Sequence, residues 1–187
     1  MNTSSIKTAI TTSVVFEKKN LIFIKGLLKI TPLSRYFKRK NYKIRQLITY
    51  CKIKEYRNLL VLVKKKKFIF LWQIDIKSNF IISYRLDSFT ITGNLYKLDK
   101  NTNANSELIL KNFRGKKGIF LSRMIKILFF QTPNFRSRQV LSFFHENNYI
   151  FVRFHRYIFS SSGKDVRIQE LGPRITLKFL TIFELIY

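Results

Sequence analysis

Two apolar runs joined by four consecutive lysines constrain the fold of this chain more than any other feature of its sequence. Leu59 to Val63 is a continuous apolar run of strand length, and Phe68 to Ile76 follows directly after Lys64 to Lys67. Apolar runs of this length on either side of a polar turn are typical of two adjacent strands. Phe80 to Thr90 adds a third run after the turn residues Ser78-Asn79. A sheet of short strands is therefore expected here.

Two helices and one further strand are predicted before this sheet. Ile6 to Thr12 has the length and composition of a strand, and Glu17 to Ile30 has the broad apolar face of a helix that Pro32 ends. A second helix follows from apolar residues at positions i, i+3, i+4 and i+7, which are Ile44, Leu47, Ile48 and Cys51. The first half is expected to be a compact α/β unit in the order β-α-α-β-β-β.

The second half repeats this order of a strand, a helix and further strands. Leu108 to Leu110 is a predicted strand, and residues 116–130 form a predicted helix. Its apolar stripe consists of Leu121, Met124, Ile125 and Leu128. Four more strands are expected at Gln139 to Phe144, Tyr149 to Phe159, Val166 to Leu171 and Ile175 to Leu185. We expect a first half at about 6–96, a polar linker at about 97–106 and a second half at about 107–187.

The charge of the chain points to a polyanionic partner. Thirty-six Lys and Arg residues stand against ten Asp and Glu residues, which gives a formal net charge of +26. RNA, an anionic membrane and an acidic protein are all candidates on charge alone. The basic residues occur in nearly every segment, which favours folded RNA that surrounds the protein. No apolar run reaches the roughly 18 residues of a membrane span, and Cys51 is the only cysteine, so we expect a soluble protein of a reducing intracellular compartment.

The acidic residues and histidines do not form a pattern that is typical of catalysis. The ten acids are scattered singly, and His145-Glu146 is the only adjacent pair of a histidine and an acid. Hydrolytic chemistry needs clustered groups that hold a metal or move protons. We therefore predict no enzyme activity, no catalytic or metal-binding residues and no cofactor. Ser162 to Asp165 lacks the first glycine of a P-loop, whereas the basic pair between Gly115 and Gly118 opens a helix and can bind a phosphate.

The segment from Tyr149 to Phe159 carries the clearest candidate binding surface. On a strand, Tyr149, Phe151, Arg153, His155, Tyr157 and Phe159 share one face. Interleaved aromatic and cationic groups can stack bases and pair with phosphates. The alternative interpretation is that the aromatic residues fill the core between layers and only the basic residues meet solvent. Six arginines lie in this part of the chain, namely Arg136, Arg138, Arg153, Arg156, Arg167 and Arg174.

Four stretches of the second half resemble the Brix domain family. They are Ser122-Arg123-Met124, the segment Phe135 to Val140, the segment Tyr149 to Phe159 and the segment Val166 to Lys178, of which Glu170-Leu171-Gly172-Pro173-Arg174 is the most characteristic. The spacing fits from about residue 6 to residue 180, and the ribosome production factor 1 type fits best. The resemblance implies an α/β fold of two similar halves, each a mixed sheet with packed helices. It also implies binding to pre-ribosomal RNA in the nucleolus.

The resemblance further implies a role in maturation of the large (60S) ribosomal subunit within a pre-ribosomal particle, with a protein partner of the Mak16 kind. Gly172-Pro173 is expected to form a rigid turn that presents Arg174. Alternatives are a Brix factor of the small subunit, or a basic protein that binds RNA or a membrane surface without a ribosomal role. The predicted RNA-binding residues are Lys116, Lys117, Arg123, Arg136, Arg138, Arg153, His155, Arg156, Arg167, Gly172, Pro173 and Arg174.

Overall fold

A computed structural model describes residues 7–13, 21–91, 105–129, 133–160 and 165–184 of the chain. It has two compact units: unit 1 comprises Met1–Asp87 and Lys178–Tyr187, and unit 2 comprises Ser88–Leu177. The predicted linker lies mostly outside the described residues. The predicted domain bounds stay a prediction.

Unit 1 is a five-stranded mixed sheet with two helices. Its elements are β1 (Thr8–Thr12), α1 (Leu21–Ile30), β2 (Ser34–Tyr36), α2 (Ile44–Ile53), β3 (Asn58–Lys65), β4 (Phe68–Asp75) and β5 (Phe80–Thr90), which runs on into unit 2 at Ser88. The strand order is β2-β1-β3-β4-β5. β1 pairs in parallel with both β2 and β3, whereas β3-β4 and β4-β5 are antiparallel. The predicted hairpins and both helices are confirmed.

Two details of unit 1 differ from the prediction. The prediction lacked β2, because a strand of three residues is too short to show a periodic pattern. The turn between β3 and β4 contains only Lys66 and Lys67, since Lys64 and Lys65 still pair with the neighbouring strand. Lys66 has a positive φ of 52°, as a tight hairpin turn requires. The predicted start of the first helix at Glu17 lies outside the described residues.

The core of unit 1 forms where α2 packs on the sheet. Ile48 and Cys51 of the predicted stripe are each 1% exposed and contact the buried residues Ala9, Leu59 and Val61. A helix of ten residues cannot be stable alone, so this buried face accounts for most of its stability. The packing fixes α2 over the start of β1 and β3.

Unit 2 has one helix and a mixed set of parallel and antiparallel strands. Its elements are β6 (Glu107–Lys111), α3 (Gly115–Lys126), β7 (Gln139–Glu146), β8 (Tyr149–Phe159), β9 (Val166–Glu170) and β10 (Arg174–Glu184), which continues into unit 1 at Lys178. β6 pairs in parallel with β7, and β8 is antiparallel to both β7 and β9. The predicted helix is shorter than expected at its end. It stops at Lys126, because the amide N–H groups of Leu128 and Phe129 form tighter i to i−3 hydrogen bonds of 2.9 and 3.2 Å.

The helix α3 packs on one face of the unit 2 sheet. Leu121, Met124 and Ile125 of its predicted stripe are buried, and the ring of Phe129 lies 5.6 Å from that of Phe143 on β7. Each unit thus contains two parallel strands with a helix between them in the chain, followed by antiparallel strands. The predicted α/β class, with two similar halves that each combine mixed strand pairing with packed helices, is confirmed, with two helices in unit 1 and one in the described part of unit 2.

Candidate nucleic-acid interface

A short turn before β7 carries two exposed arginines. A single 3-10 turn at Phe135–Ser137 is capped by Asn134, whose side-chain oxygen accepts a hydrogen bond of 3.1 Å from the backbone N–H of Arg136. Arg138 follows in the left-handed conformation with φ of 53°. Both arginine side chains are exposed to solvent. The cap and the left-handed residue therefore fix the backbone from which the two guanidinium groups project.

Arg138 lies against the far end of β8. Its backbone carbonyl accepts a hydrogen bond of 2.9 Å from the N–H of Tyr157, and its guanidinium carbon lies 5.0 Å from the ring centroid of Phe159. This distance is that of a cation–π contact. Phe159 is 46% exposed, so the ring still offers a surface for a ligand.

Arg156 and Arg167 lie at the same end of β8 but on the opposite face. Arg156 pairs with Gln169 of β9, and Ile158 pairs with Arg167, so the two arginines are diagonal neighbours on one face. Both are exposed. In the described part of the chain, none of the guanidinium groups of Arg136, Arg138, Arg156 and Arg167 forms an ion pair with a carboxylate. These four residues are called the arginine end below.

The aromatic face of β8 divides into two parts. The fully buried residues of the strand are Ile150, Val152 and Phe154, so the alternative in which the aromatic face forms the core is wrong. Near the hairpin turn, the ring of Phe151 packs 6.4 Å from that of Tyr149 and forms a half-buried cluster. Phe159 lies at the other end of β8 and has the one exposed aromatic ring on this face of the strand, all of which the structure describes. Base stacking therefore fits only the end that bears the arginines.

Arg153 and His155, also predicted to bind RNA, lie on the aromatic face and are half-buried. The Nη1 atom of Arg153 donates hydrogen bonds to the backbone carbonyls of Val152 at 2.8 Å and of Ile175 at 3.4 Å. These bonds hold the side chain against the backbone of β8 and β10. Arg153 therefore stabilises the sheet of unit 2 and has fewer donors for a phosphate than an exposed arginine.

The turn at Gly172-Pro173 has the expected position, but Arg174 is not a solitary cation. Gly172 and Pro173 are joined by a cis peptide bond. Both residues are buried, so they offer no exposed surface to RNA. The guanidinium of Arg174 forms a fork with the carboxylate of Glu170, with an Nε–Oε1 distance of 2.6 Å. This hydrogen bond and the charge of Glu170 raise the pKa of Arg174. The sequence contained the signal, since a glutamate four residues before an arginine can meet it across a turn.

A second basic group lies at the start of α3. Lys116 and Lys117 are exposed in its first turn, which contains no acidic residue, and the exposed Arg114 is its N-cap residue. The Nζ atom of Lys117 donates a hydrogen bond of 2.8 Å to the side chain of Asn148 in the β7–β8 turn. Free amide N–H groups at a helix start favour anions. Arg114 belongs to this group, although the prediction did not include it.

Six of the twelve predicted residues thus form two separate groups. The β7–β8 turn beside Lys117 and the arginine end lie at opposite ends of β8, an eleven-residue strand. At a rise of about 3.3 Å per residue, this strand separates them by roughly 30 Å. Arg123 is exposed in the last turn of α3, and none of the contacts given above joins it to either group. Within the described part of unit 2, twelve Lys and Arg residues stand against four acids.

The residues considered for catalysis do not converge. His145 and Glu146 are consecutive residues of β7, so their side chains point to opposite faces of the sheet. The ring of His145 stacks on Phe113 with 5.2 Å between centroids. No three His, Cys, Asp or Glu side chains lie together as a metal site in the described ranges. Ser162 to Lys164 lie outside the described residues. Among the described helices, none has the length and apolar composition to cross a membrane.

Comparisons with known proteins show the family of the chain. The Brix domain family matches residues 17–181. A Brix domain-containing protein of Caenorhabditis elegans is 35% identical over 162 residues, which are 81% of this chain and 40% of that protein. Ribosome production factor 1 of Saccharomyces cerevisiae is 31% identical over 174 residues, which are 92% of this chain and 59% of that protein. The chain spans about half the length of the curated relatives it matches.

The fold also occurs in a solved structure. The crystal structure of a probable ribosomal biogenesis protein from Aeropyrum pernix K1 covers 92% of this chain and 95% of its own, with a TM-score of 0.61 and 15% sequence identity. At this identity the likeness concerns the fold alone. The family match extends over most of both units and includes the arginine end and the start of α3. The chain belongs to the Brix domain family.

Proposed function

We propose that this chain is an assembly factor of the large ribosomal subunit that binds pre-rRNA and makes or breaks no covalent bond. The observation that carries the proposal is the arginine end, where four exposed guanidinium groups lie at one end of β8 and one of them, that of Arg138, lies over the exposed ring of Phe159. Arginine offers planar pairs of donors that match phosphate oxygens, and an aromatic ring stacks on a base. Both groups occur together in proteins that bind single-stranded or looped RNA.

The position of the charges favours RNA over a membrane surface. Arg138 lies on one face of the β8–β9 hairpin, whereas Arg156 and Arg167 lie on the other. A flat anionic membrane meets one face of such a hairpin, but an RNA fold can contact both. The group at the start of α3, roughly 30 Å away along β8, supplies further phosphate contacts to the same RNA. The two groups then hold an rRNA segment as a scaffold does.

The finer parts of the proposal derive from the relatives. Several curated relatives carry the name ribosome production factor 1, and the family resemblance implies the large subunit, the pre-ribosomal particle and the nucleolus. A protein partner of the Mak16 kind belongs to the same proposal. A Brix factor of the small subunit is the alternative, and association with precursors of that subunit would support it.

Binding of the full chain to labelled fragments of large-subunit rRNA tests the proposal. A small-subunit fragment and anionic lipid vesicles serve as competitors across a salt series. We expect preference for the large-subunit RNA and a log affinity that falls by roughly 0.7 to 0.9 per phosphate contact for each decade of salt. Equal binding to all three ligands would refute the proposal, because the charge would then act without specificity.

A further inference from the structure

Unit 1 contains a cavity that the proposed interface does not use. It has a volume of about 260 Å³ and lies between α2, the start of β1 and β3, and the segment that follows β2. Its floor is apolar and buried: Ala9, Cys51 and Leu59 are each 1–2% exposed. Tyr42 and Tyr50 lie at its mouth and are 52% and 42% exposed. The cavity is therefore open to solvent on its aromatic side and closed on its aliphatic side.

Hydrogen bonds hold the wall formed by residues 37–42 in place. The backbone N–H of Phe37 donates to the carbonyl of Ile10 at 2.8 Å, and the hydroxyl of Thr11 donates to the carbonyl of Phe37, also at 2.8 Å. Farther along, Nε of Arg39 donates to the carbonyl of Tyr42 at 2.9 Å. The ring of Phe37 meets that of Tyr50 edge-on with 5.9 Å between centroids. The aromatic wall is thus formed before any ligand binds.

The charge around the cavity identifies the class of ligand. Every charged residue between positions 21 and 54 is basic. Lys38 lines the cavity itself, and Lys40, Lys43 and Arg45 are exposed on the adjoining turn and helix. An apolar floor with aromatic walls accepts an uncharged ring, whereas the basic surroundings attract an anion. A nucleotide in single-stranded RNA combines these two properties, since its base is a flat ring and its phosphates are charged.

We propose that this cavity binds an unpaired base of RNA, with Tyr42 and Tyr50 against the base and Lys38 near its phosphate. The volume lies just below the range of about 300–1,000 Å³ of pockets for drug-sized ligands, so one base fits better than a folded segment. The proposal rests on the proposed function in that RNA is the ligand. It places the contact in unit 1, whereas the residues of the arginine end belong to unit 2.

The test measures binding of the full chain to a fluorescein-labelled oligouridylate and oligoadenylate of about twelve nucleotides by fluorescence anisotropy. We expect Tyr42→Ala and Tyr50→Ala each to weaken binding about tenfold, with an unchanged salt dependence, because stacking contributes energy but releases no counterions. Lys38→Gln should instead lower the slope of log affinity against log salt by about 0.7. Tyr42→Phe keeps the ring and should restore most of the affinity that Tyr42→Ala loses.

Two controls make the result specific. Ile53→Ala removes an exposed side chain of α2 that does not line the cavity, and it should leave binding unchanged. A base-free ribose-phosphate oligomer of the same length should bind the tyrosine variants and the unchanged chain equally. Thermal unfolding confirms that each variant is folded, which is expected because both tyrosines are about half exposed.

Unchanged RNA binding in both alanine variants would overturn the proposal. An equal loss on the base-free oligomer would also overturn it, because the tyrosines would then act through the backbone. The proposed function fails separately, if removal of charge at the arginine end leaves binding to rRNA unchanged. The two sets of variants lie in different units, so the two failures are distinguishable.

Discussion

Removal of three positive charges from the arginine end gives the sharpest test of the interface. The variant Arg136→Gln, Arg156→Gln, Arg167→Gln keeps long polar side chains at three exposed positions that form no ion pair in the described part of the chain. Their loss should therefore cost little stability. Each lost contact with a single-stranded phosphate lowers the slope of log affinity against log salt by about 0.7, so the triple variant should lower it by about 2.

The same relation gives the change in affinity. With a slope of log affinity against log salt of about 0.7 per contact, each phosphate contact raises the affinity about fourfold at 0.15 M salt compared with 1 M salt. Three contacts together give about 50-fold, or about 2.4 kcal/mol at 1.4 kcal/mol per tenfold. The difference between the triple variant and the unchanged chain should shrink as salt rises and disappear near 1 M.

The assay is equilibrium binding to one labelled rRNA fragment at five or more salt concentrations. The matched control replaces Lys65, Lys66 and Lys67 by Gln, which removes three exposed charges from unit 1. If the lysine variant weakens binding as much as the arginine variant, net charge alone governs the affinity and the argument for the arginine end is refuted. If the arginine variant keeps the slope of log affinity against log salt that the unchanged chain has, the argument for the arginine end is refuted as well.

Two further predictions concern stability. Asp75 is 1% exposed and accepts hydrogen bonds from Arg57 and Ser78, so Arg57→Met should lower the free energy of unfolding in urea. We expect a loss of about 2–3 kcal/mol. This is less than for a fully buried ion pair, because the Arg57 side chain is 30% exposed. A loss below about 1 kcal/mol would contradict the role of Arg57 as the partner of the buried Asp75 carboxylate. Burial raises the pKa of the Cys51 thiol to about 12 from its ordinary value of 9.0. The thiol of the unfolded chain loses its proton at a lower pH than that of the folded chain, so the free energy of unfolding should fall as pH rises above about 9. Cys51→Ala should show a smaller fall of this free energy when urea unfolding is measured over a pH series.

Periodic apolar patterns made most of the fold predictable. The stripe that includes Ile48 and Cys51 indicated α2, and the alternation along Tyr149–Phe159 indicated the strand β8 with its observed ends. β2 escaped prediction because its three residues take their conformation from backbone pairing with β1, which no local pattern records. Burial of one strand face also followed from alternation, but which face is buried depends on the side to which α3 packs.

The candidate site was predictable by residue type but not by arrangement. Charge and motif selected arginines of which several are exposed, yet the sequence could not show that β8 separates Lys117 from Arg156. Nor could it show that Arg153 is bound to backbone carbonyls, because Ile175 is far from it in the chain. The aromatic cavity of unit 1 escaped notice for the same reason, since its walls come from distant segments joined by the parallel pairing of the strands.

The fork between Glu170 and Arg174 leads to the last prediction. The carboxylate neutralises the charge that Arg174 was expected to present, and it lies on the strand that also bears Arg167. Glu170→Gln keeps the size of the side chain but removes this negative charge, so Arg174 gains full charge toward a phosphate. We expect tighter RNA binding by about fourfold at 0.15 M salt and a slope steeper by about 0.7.

Arg174→Gln should have little effect in the unchanged chain but should cancel the gain in the Glu170→Gln background. A pairwise cycle of the two variants measures this coupling directly. If Glu170→Gln leaves both affinity and slope unchanged, RNA does not approach the Gly172-Pro173 turn. The interface then ends at β9, and the role of Arg174 is to close that turn against Glu170 rather than to contact RNA.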